Sequence, residues 1–412
     1  MKNFKDLMLR KNPIIISGII LIVIFVLNAN AQDIRIVNSG NFSFKVPESY
    51  LQEREDIPDF WVNSVNDVSE FLYKHVNKGI VKVIGSSAGG RPVRAVFYGK
   101  PRQDEGTTTF SGSLGFGNTS AYRGPDHEKT VYLGMAAVHG GEFEGIVGMI
   151  NLISVIETGK DLRGKAWPEI KDIAEKLDRI ILIPMANPDG RARIPLRMEK
   201  HQNTDEIVHE YLNTGGNPDG TLIGWPEVKE FIPLDFGKAV FPGGYPNDAG
   251  VNIQHDDFFG KIQPETQALF NLAALERPDL IINMHTGATY MTLIRPFCEP
   301  VLQPVFDSIY TRVHSRLALE GLKYTKNIEI EANPEQSPIG VWNLDGALNL
   351  HCGALSVVVE SPSHAFDGKN KSGGPALHTP EMLLDAQLIC HQEALRFLAE
   401  SGGRSKWTPG RK

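Results

Sequence analysis

The segment 130–145 reads TVYLGMAAVHGGEFEG and joins an apolar stretch to a histidine and a glutamate. Residues 131–138 are few, apolar and bounded by charged residues and glycines, a pattern that favours a buried strand over a helix. His139 follows at the predicted strand end, and the two glycines after it allow a tight turn that returns Glu142 to the imidazole. Residues 144–158 then have helical spacing. Because Zn²⁺ accepts imidazole nitrogen and carboxylate oxygen, we predict that His139 and Glu142 form half of a zinc site.

Two later segments have the same layout, an apolar run that ends in a polar residue. Residues 278–287 read PDLIINMHTG and end their run at His285, and residues 354–362 read ALSVVVESP and end theirs at Glu360. In open α/β sheets, ligands bind outside the carboxyl ends of the strands. A catalytic zinc needs a third protein ligand, and we predict that His285 supplies it beside His139.

Strand patterns alternate with helical patterns from residue 131 to residue 400. This alternation predicts a single α/β domain with a mixed, mostly parallel twisted sheet flanked by helices. Residues 81–97 read as a hairpin, and the long segment 191–250 is rich in proline, glycine and asparagine, which is typical of a binding loop. The predicted divisions are a signal peptide at 1–31, a lead-in at 32–58, a catalytic domain at 59–402 and a C-terminal tail at 403–412.

The first residues have the pattern of an export signal. Basic residues precede an apolar run at 14–27, and Ala-Asn-Ala at 29–31 matches a cleavage site, so we expect cleavage after Ala31 and a secreted or periplasmic protein. An uncleaved signal segment that anchors the chain in a membrane is the alternative. The chain has a formal net charge of −7, and removing this basic segment makes it more negative. That charge argues against nucleic acid or an anionic membrane as the main partner.

The three cysteines, Cys298, Cys352 and Cys390, lie far apart and form no metal-binding pair. In an exported protein they could form one disulfide and leave one thiol, or all three could be buried free thiols. The sequence does not choose between these arrangements.

With these motifs in order, the chain resembles the zinc carboxypeptidases, the carboxypeptidase A-like metallocarboxypeptidases. The family's His-x-x-Glu pair matches His139 and Glu142, its later zinc histidine matches His285, and its catalytic glutamate matches Glu360. Its Asn-Pro-Asp-Gly turn matches residues 187–190, and a Gly-Arg-Pro in the predicted hairpin also fits. The two-histidine, one-glutamate ligand set is already known for that family. The resemblance therefore implies bound Zn²⁺ and a peptide substrate.

One stretch departs from the family pattern. The family has Gly-Val-Asp-x-Asn-Arg-Asn, whose Asn-Arg pair grips the terminal carboxylate of the substrate, whereas residues 250–256 here read GVNIQHD. Gln254 and His255 are thus the candidate substrate-binding residues. A guanidinium clamps a carboxylate with two hydrogen bonds, but a neutral histidine holds it weakly. The need for a free C terminus stays open, and residues 339–359 also lack the family's tyrosine.

The resemblance also implies a mechanism. Zinc held by its three ligands activates a water, Glu360 accepts the proton and later passes it to the leaving nitrogen, and Arg193 or Arg197 stabilises the oxyanion. Three functions remain as hypotheses. They are an exported zinc peptidase acting on peptide C termini or cell-wall peptides, a zinc amidase or deacylase on the same scaffold, and a non-catalytic binding protein.

Each candidate also has an ordinary structural interpretation. His139 and Glu142 could be a hydrogen-bonded loop pair, His285 could bond a carbonyl, and Glu360 could pair with an arginine. Glu144 could replace Glu142 as a ligand, but its place at the start of the predicted helix favours capping. His351 and His364 flank Glu360, and we expect neither to be a metal ligand.

Overall fold

The computed structural model describes residues 33–103, 123–201, 206–224, 228, 233–288, 290–322, 333–369 and 374–408. The predicted signal peptide lies outside these residues. Among the helices that are described, none combines the length and the apolar character needed to cross a bilayer.

The predicted lead-in forms a hairpin that packs on the rest of the protein. Strand β1 (Ile34–Ser39) pairs with β2 (Phe42–Pro47) in an antiparallel register. The Phe44 ring is buried against Phe236 and Phe241, with ring centroids 5.8 and 6.1 Å apart. The predicted lead-in thus packs as an ordered hairpin, because alternate side chains of this segment have an apolar surface to cover.

The central sheet has seven strands in the order β3-β4-β6-β5-β7-β9-β8. The four strands β6, β5, β7 and β9 are parallel to one another, whereas β3, β4 and β8 pair antiparallel at the edges. The sheet is mixed and mostly parallel at its centre, as the sequence predicts. The strands are β3 (Ile80–Ser86), β4 (Pro92–Gly99), β5 (Val131–Ala136), β6 (Arg179–Ile183), β7 (Leu280–Ala288), β8 (Thr292–Leu293) and β9 (Leu355–Pro362), and a small hairpin follows with β10 (Asp367–Lys369) and β11 (Pro375–Leu377).

Helices cover both faces of this sheet. They are α1 (Val65–His75), α2 (Phe143–Thr158), α3 (Pro168–Ala174), α4 (Pro188–Arg193), α5 (Glu206–Thr214), α6 (Pro264–Glu276), α7 (Gln303–Leu319), α8 (Leu344–Cys352), α9 (Pro380–Ser401) and α10 (Arg404–Trp407). Alternate strand residues point to opposite faces. One face, with Tyr132, packs with α1, α2, α3, α7 and α9, and the other, with Leu133, packs with α6 and α8.

Local chemistry explains where the main helices begin and end. Helix α9 begins with Pro380 after Thr379, whose hydroxyl accepts a hydrogen bond from the Met382 backbone nitrogen. Helix α2 ends where Gly159 adopts a left-handed conformation at φ 85°, as its glycine predicts. Nearly every residue of α2 is buried, because the sheet lies on one side of it and α9 on the other.

Two predicted segments differ from the structure. Residues 187–190 form the start of α4 and not an isolated turn, because the Asn187 side chain caps the Gly190 nitrogen and Pro188 fits the first helical position. The predicted tail contains α10, which is held to the domain by a hydrogen bond from the Arg404 backbone nitrogen to Asp279. All three cysteines are free thiols.

Candidate active site

Three predicted ligands meet at the carboxyl ends of β5 and β7. His139 Nδ1 lies 2.8 Å from Glu142 Oε1, and His285 Nδ1 lies 3.1 Å from Glu142 Oε2. The two Nδ1 atoms are 3.2 Å apart. One ligand atom from each of the three residues lies within 4.8 Å of the others, and all three side chains are buried.

The backbone between His139 and Glu142 is constrained by its neighbours. A Cβ atom at Gly140 would lie 2.0 Å from the Arg191 nitrogen, and one at Gly141 would lie 2.2 Å from the Asn213 side chain. Both positions therefore require glycine. Ala137, just before the histidine, has a positive φ of 53°, a conformation that non-glycine residues rarely adopt. The strand thus leaves the sheet abruptly and turns its histidine toward β7.

The donor set fits Zn²⁺. Two imidazole nitrogens and a carboxylate are ordinary zinc ligands, and three protein ligands leave a position for water or substrate. The buried Glu142 Oε2 lies 3.1 Å from His285 Nδ1, so each oxygen of this carboxylate faces an imidazole nitrogen. Two neutral ring nitrogens at 3.2 Å also gain little from each other, whereas both can direct a lone pair at a cation. The group is thus better satisfied by a metal ion than by its own contacts.

The charges within this group are strongly coupled. Burial would raise the pKa of Glu142, but the two histidines outweigh it and lower that pKa to about 2. Burial lowers the pKa of His139. Burial also opposes the charged form of His285, yet the Glu142 carboxylate raises its pKa to about 9. The Glu142 carboxylate therefore stays charged between the two imidazoles, as a metal ligand must.

Two residues that the sequence analysis missed orient His139. Asn252 Oδ1 accepts a hydrogen bond from His139 Nε2 at 3.1 Å, which fixes the tautomer whose Nδ1 lone pair faces the group. The Tyr245 ring stacks on the imidazole with centroids 3.6 Å apart and planes at 10°. Its hydroxyl is within hydrogen-bonding reach of Glu142. The signal for Asn252 was its place in GVNIQHD, where the resembled pattern has aspartate.

Glu360 lies beside this group and is not part of it. It pairs with His285 in the register of β7 and β9 and lines the same cavity, whose volume is about 320 Å³. Burial raises the pKa of Glu360 to about 7, with His285 opposing that shift. The apolar wall of the cavity consists of Ile294, Ile339, Val341 and Val358.

With this geometry established, a comparison with known families decides the assignment. A family model described as zinc carboxypeptidase matches residues 74–336. The chain belongs to the zinc carboxypeptidase family. It is a zinc carboxypeptidase-like hydrolase, and its cofactor is Zn²⁺. The matched residues include His139, Glu142 and His285 but end before Glu360.

Solved zinc carboxypeptidases share similarity with the chain at low identity. A metallo-carboxypeptidase from Burkholderia cenocepacia is 13% identical, over 88% of this chain and 76% of that one, with a TM-score of 0.48. A metallo-carboxypeptidase from Pseudomonas aeruginosa, in complex with (2-guanidinoethylmercapto)succinic acid, is 14% identical over 89% and 80%, with a TM-score of 0.49. Carboxypeptidase A from Helicoverpa armigera is 13% identical over 85% and 77%, with a TM-score of 0.47. No curated protein matches the chain.

The two arginines predicted to stabilise the oxyanion lie elsewhere in the structure. Arg193 is buried and donates to the carbonyls of Gly243 and Pro246, and it pairs with Asp248 at 2.8 Å. Arg197 is half-exposed and lies 3.5 Å from Glu53. Neither lines the cavity. The prediction was wrong because α4 turns Arg193 away from the metal group and under the loop that follows α5.

Gln254 and His255 do line the cavity, where the family's Asn-Arg pair was expected. Both are buried, and no lysine or arginine is among the described residues that line it. Glu144, the alternative ligand, is outside the metal group and accepts a hydrogen bond from the His364 backbone nitrogen at 3.0 Å. His351, on α8, stacks on Phe270 of α6. Neither His351 nor His364 belongs to the metal group.

Proposed function

We propose that this zinc carboxypeptidase relative hydrolyses a peptide amide bond with Glu360 as the general base. The position of Glu360 carries this proposal, because it is the described carboxylate that lines the cavity beside the metal ligands without belonging to them. Bound Zn²⁺ supplies Lewis-acid activation of a water and of the scissile carbonyl. Peptides, including cell-wall peptides, are the proposed substrates.

The protein's own groups then move the proton and hold the substrate. Glu360 accepts a proton from the attacking water and transfers it to the leaving nitrogen as the C–N bond breaks. The Tyr245 hydroxyl, which also lines the cavity, donates a hydrogen bond to the carbonyl oxygen as negative charge develops on it. Asn252 keeps His139 in the orientation that binds the ion.

The Glu360→Gln variant tests this proposal. It keeps the size of the side chain but cannot accept the proton, so we expect kcat on cleaved peptides to fall by about 10²–10⁴-fold while zinc content is unchanged. The matched control is Glu70→Gln on the exposed face of α1. Full activity of Glu360→Gln, or loss of zinc from it, would exclude the assigned role.

A second candidate is a zinc amidase or deacylase that acts on non-peptide amides. It is supported by the lack of a lysine or arginine among the described cavity residues, since a terminal carboxylate has no cation to bind there. Acylated amines without any peptide bond, assayed beside peptides, separate the two functions. Cleavage of the acylated amines alone would replace the peptidase proposal, and zinc-loaded protein that cleaves neither would leave a binding protein.

We also propose that the protein is exported and that its signal peptide is cleaved after Ala31. The support is the basic, apolar and small-residue pattern of residues 1–31. N-terminal sequencing of protein recovered from the producing cells should begin at Gln32. Recovery of the uncut chain in the membrane fraction would favour the signal anchor instead.

A further inference from the structure

Gln254, which lines the cavity, is tied to a buried carboxylate. Its Nε2 donates to Asp345 Oδ2 at 2.9 Å, and its Oε1 accepts from Asn283 Nδ2 at 3.2 Å. Asp345 also accepts hydrogen bonds from Asn283 at 3.0 Å and from Ser356 at 2.5 Å. The three side chains that donate to Asp345, those of Gln254, Asn283 and Ser356, carry no charge. The amide of Gln254 is thus fixed in orientation, and a carboxylate lies one hydrogen bond behind the cavity wall.

The wall formed by Gln254, with Asp345 behind it, is electrostatically unsuited to a substrate carboxylate. The Asp345 carboxylate lies behind Gln254 and Glu360 lines the same cavity, while no lysine or arginine is among the described residues that line it. Arg295 follows the cavity-lining Ile294, but its guanidinium lies against Asp307 at 3.3 Å. A free terminal carboxylate would therefore meet like charge without a guanidinium to neutralise it.

An apolar rim continues outward from the same wall, formed by the exposed Ile339 and Val341 and the partly buried Trp342. Ile339 is 77% exposed and Val341 is 51% exposed, and both line the cavity. The Trp342 ring stacks on Phe259 with centroids 6.0 Å apart, and Phe297 meets it edge-on at 6.3 Å. Exposed apolar surface of this kind marks a binding surface.

The rim and the acidic wall are parts of one short stretch of chain. Ile339, Val341 and Trp342 precede α8, and Asp345 lies in the first turn of that helix. Ile339 and Val341 of the rim line the same cavity as Gln254, so a group bound at the wall lies beside the rim. In the sequence pattern that the chain resembles, Gln254 stands at the place of the Asn-Arg pair, which holds the leaving side of the substrate. We therefore assign the rim and the wall to the leaving side of the scissile bond.

We infer that the substrate is an amide whose leaving side has a large apolar group and no free carboxylate. The inference rests on the proposed function for the position of the scissile bond. Charge at the wall selects against the carboxylate, since Asp345 lies behind Gln254 and no lysine or arginine is among the described residues that line the cavity. The rim supplies apolar area that stabilises a bulky leaving group.

Binding to the zinc-loaded Glu360→Gln protein tests the inference without requiring turnover. The ligands are N-acetyl-Ala-Phe amide and N-acetyl-Ala-Phe with a free carboxylate, measured by titration calorimetry. We expect the amide to bind about tenfold tighter or more, because only the carboxylate opposes the charge of Asp345. Equal or tighter binding of the carboxylate would overturn the inference, and so would failure of both ligands to bind.

Two further variants, made in the same Glu360→Gln background, assign the selectivity to its residues. Asp345→Asn removes the charge at constant size, and Gln254→Arg supplies the missing cation, so each should raise the relative affinity for the carboxylate ligand. Gln254→Arg keeps the test valid if Asp345→Asn does not fold. An unchanged ratio of the two affinities in a folded variant would contradict the role of the wall.

Trp342→Ala tests the rim. It should weaken binding of the Phe amide several-fold and leave N-acetyl-Ala-Gly amide nearly unaffected, because glycine has no side chain to cover the ring. The control is Tyr73→Ala, an exposed aromatic residue on α1. Equal losses for both amides would exclude the rim. Tight, selective amide binding without cleavage by the wild-type enzyme would contradict the proposed function alone.

Discussion

Two buried histidine–glutamate pairs in this protein have nearly the same geometry but different roles. His139 lies 2.8 Å from Glu142, and His209 lies 2.9 Å from Glu199. In the second pair the remaining ring nitrogen is 2.9 Å from the Asn213 side chain, so both nitrogens of His209 have partners. In the first pair a second histidine converges on the same carboxylate, and its Nδ1 lies 3.1 Å from Glu142 Oε2 and 3.2 Å from His139 Nδ1.

The comparison shows that residue type and distance do not define a metal site. A closed pair satisfies its own charges, and the pKa of His209 accordingly rises to about 9 because the Glu199 carboxylate outweighs the effect of burial. The pKa of His139 is lowered by burial, which favours the neutral imidazole that a metal needs. Converging lone pairs therefore distinguish a ligand group from an ion pair.

Removing His285, the third metal ligand, should leave the His139–Glu142 pair without zinc, like the His209–Glu199 pair. His285→Ala leaves two protein ligands, so we expect zinc content to fall from about one ion per chain toward zero and kcat/KM to fall by about a thousandfold or more. Metal analysis of the purified protein beside an activity assay measures both. His209→Gln is the matched control and should keep its zinc. Stoichiometric zinc in His285→Ala would show that the ligand set is wrong.

The metal side of the cavity could be predicted because it depends on strand ends. His139, His285 and Glu360 each follow or end a short apolar run, and the runs form the adjacent parallel strands β5, β7 and β9. Parallel neighbours place their carboxyl ends at one edge, so sequence order was enough to bring these side chains together.

The rest of the cavity could not be predicted in this way. Tyr245 and Asn252 come from the irregular segment before α6, where no periodicity indicates which side chains point inward. Arg193 was assigned wrongly because its direction depends on α4, a helix of six residues that the sequence analysis took for a turn. The wall around Asp345 depends on long-range contacts, such as Asn283 with Asp345.

Each of the two pairs has an aromatic ring beside its histidine. Tyr245, beside His139, carries a hydroxyl, whereas Phe366, beside His209, has none. Tyr245→Phe keeps the ring that stacks on His139 but removes the proposed donor to the oxyanion. We expect kcat to fall by about a hundredfold with zinc content unchanged. Tyr211→Phe is the control, since that hydroxyl has no partner among the described residues. A loss of zinc with unchanged kcat per bound ion would make Tyr245 a positioning residue only.

Asn252 contacts the second ring nitrogen of His139, as Asn213 contacts that of His209. Variants of Asn252 test whether zinc binding depends on this contact. Asn252→Ala removes the acceptor for His139 Nε2, and the affinity for zinc should fall by about 10–100-fold. Asn252→Asp keeps an acceptor and should retain tight binding, which separates the lost hydrogen bond from a disturbed loop. Competition with a chelator measures both, with Asn271→Ala on α6 as the control. Equal weakening in both Asn252 variants would exclude the proposed hydrogen bond.

The His209–Glu199 pair should contribute to the stability of the fold and not to metal binding. The pKa of His209 is about 9 in the folded protein, above the value of about 6.5 expected when unfolded. Its stabilising effect is therefore complete below about pH 6.5 and is lost as the pH rises through 9. Glu144 and Glu210 also favour the charged imidazole, so Glu199 is not the sole source. We expect His209→Gln to lower the unfolding free energy by about 2 kcal/mol at pH 6 and by much less at pH 9.5.

Urea unfolding of zinc-saturated wild type and His209→Gln across this range measures the difference at each pH. Because the metal ligands titrate in both proteins, subtracting the two curves isolates His209. Asn271→Ala on α6, which removes no titratable group, is the control and should give a flat difference. A His209→Gln difference that is the same at pH 6 and pH 9.5 would mean that the imidazole is neutral when folded. The second pair would then be a neutral hydrogen bond, and charge would no longer distinguish it from the metal group.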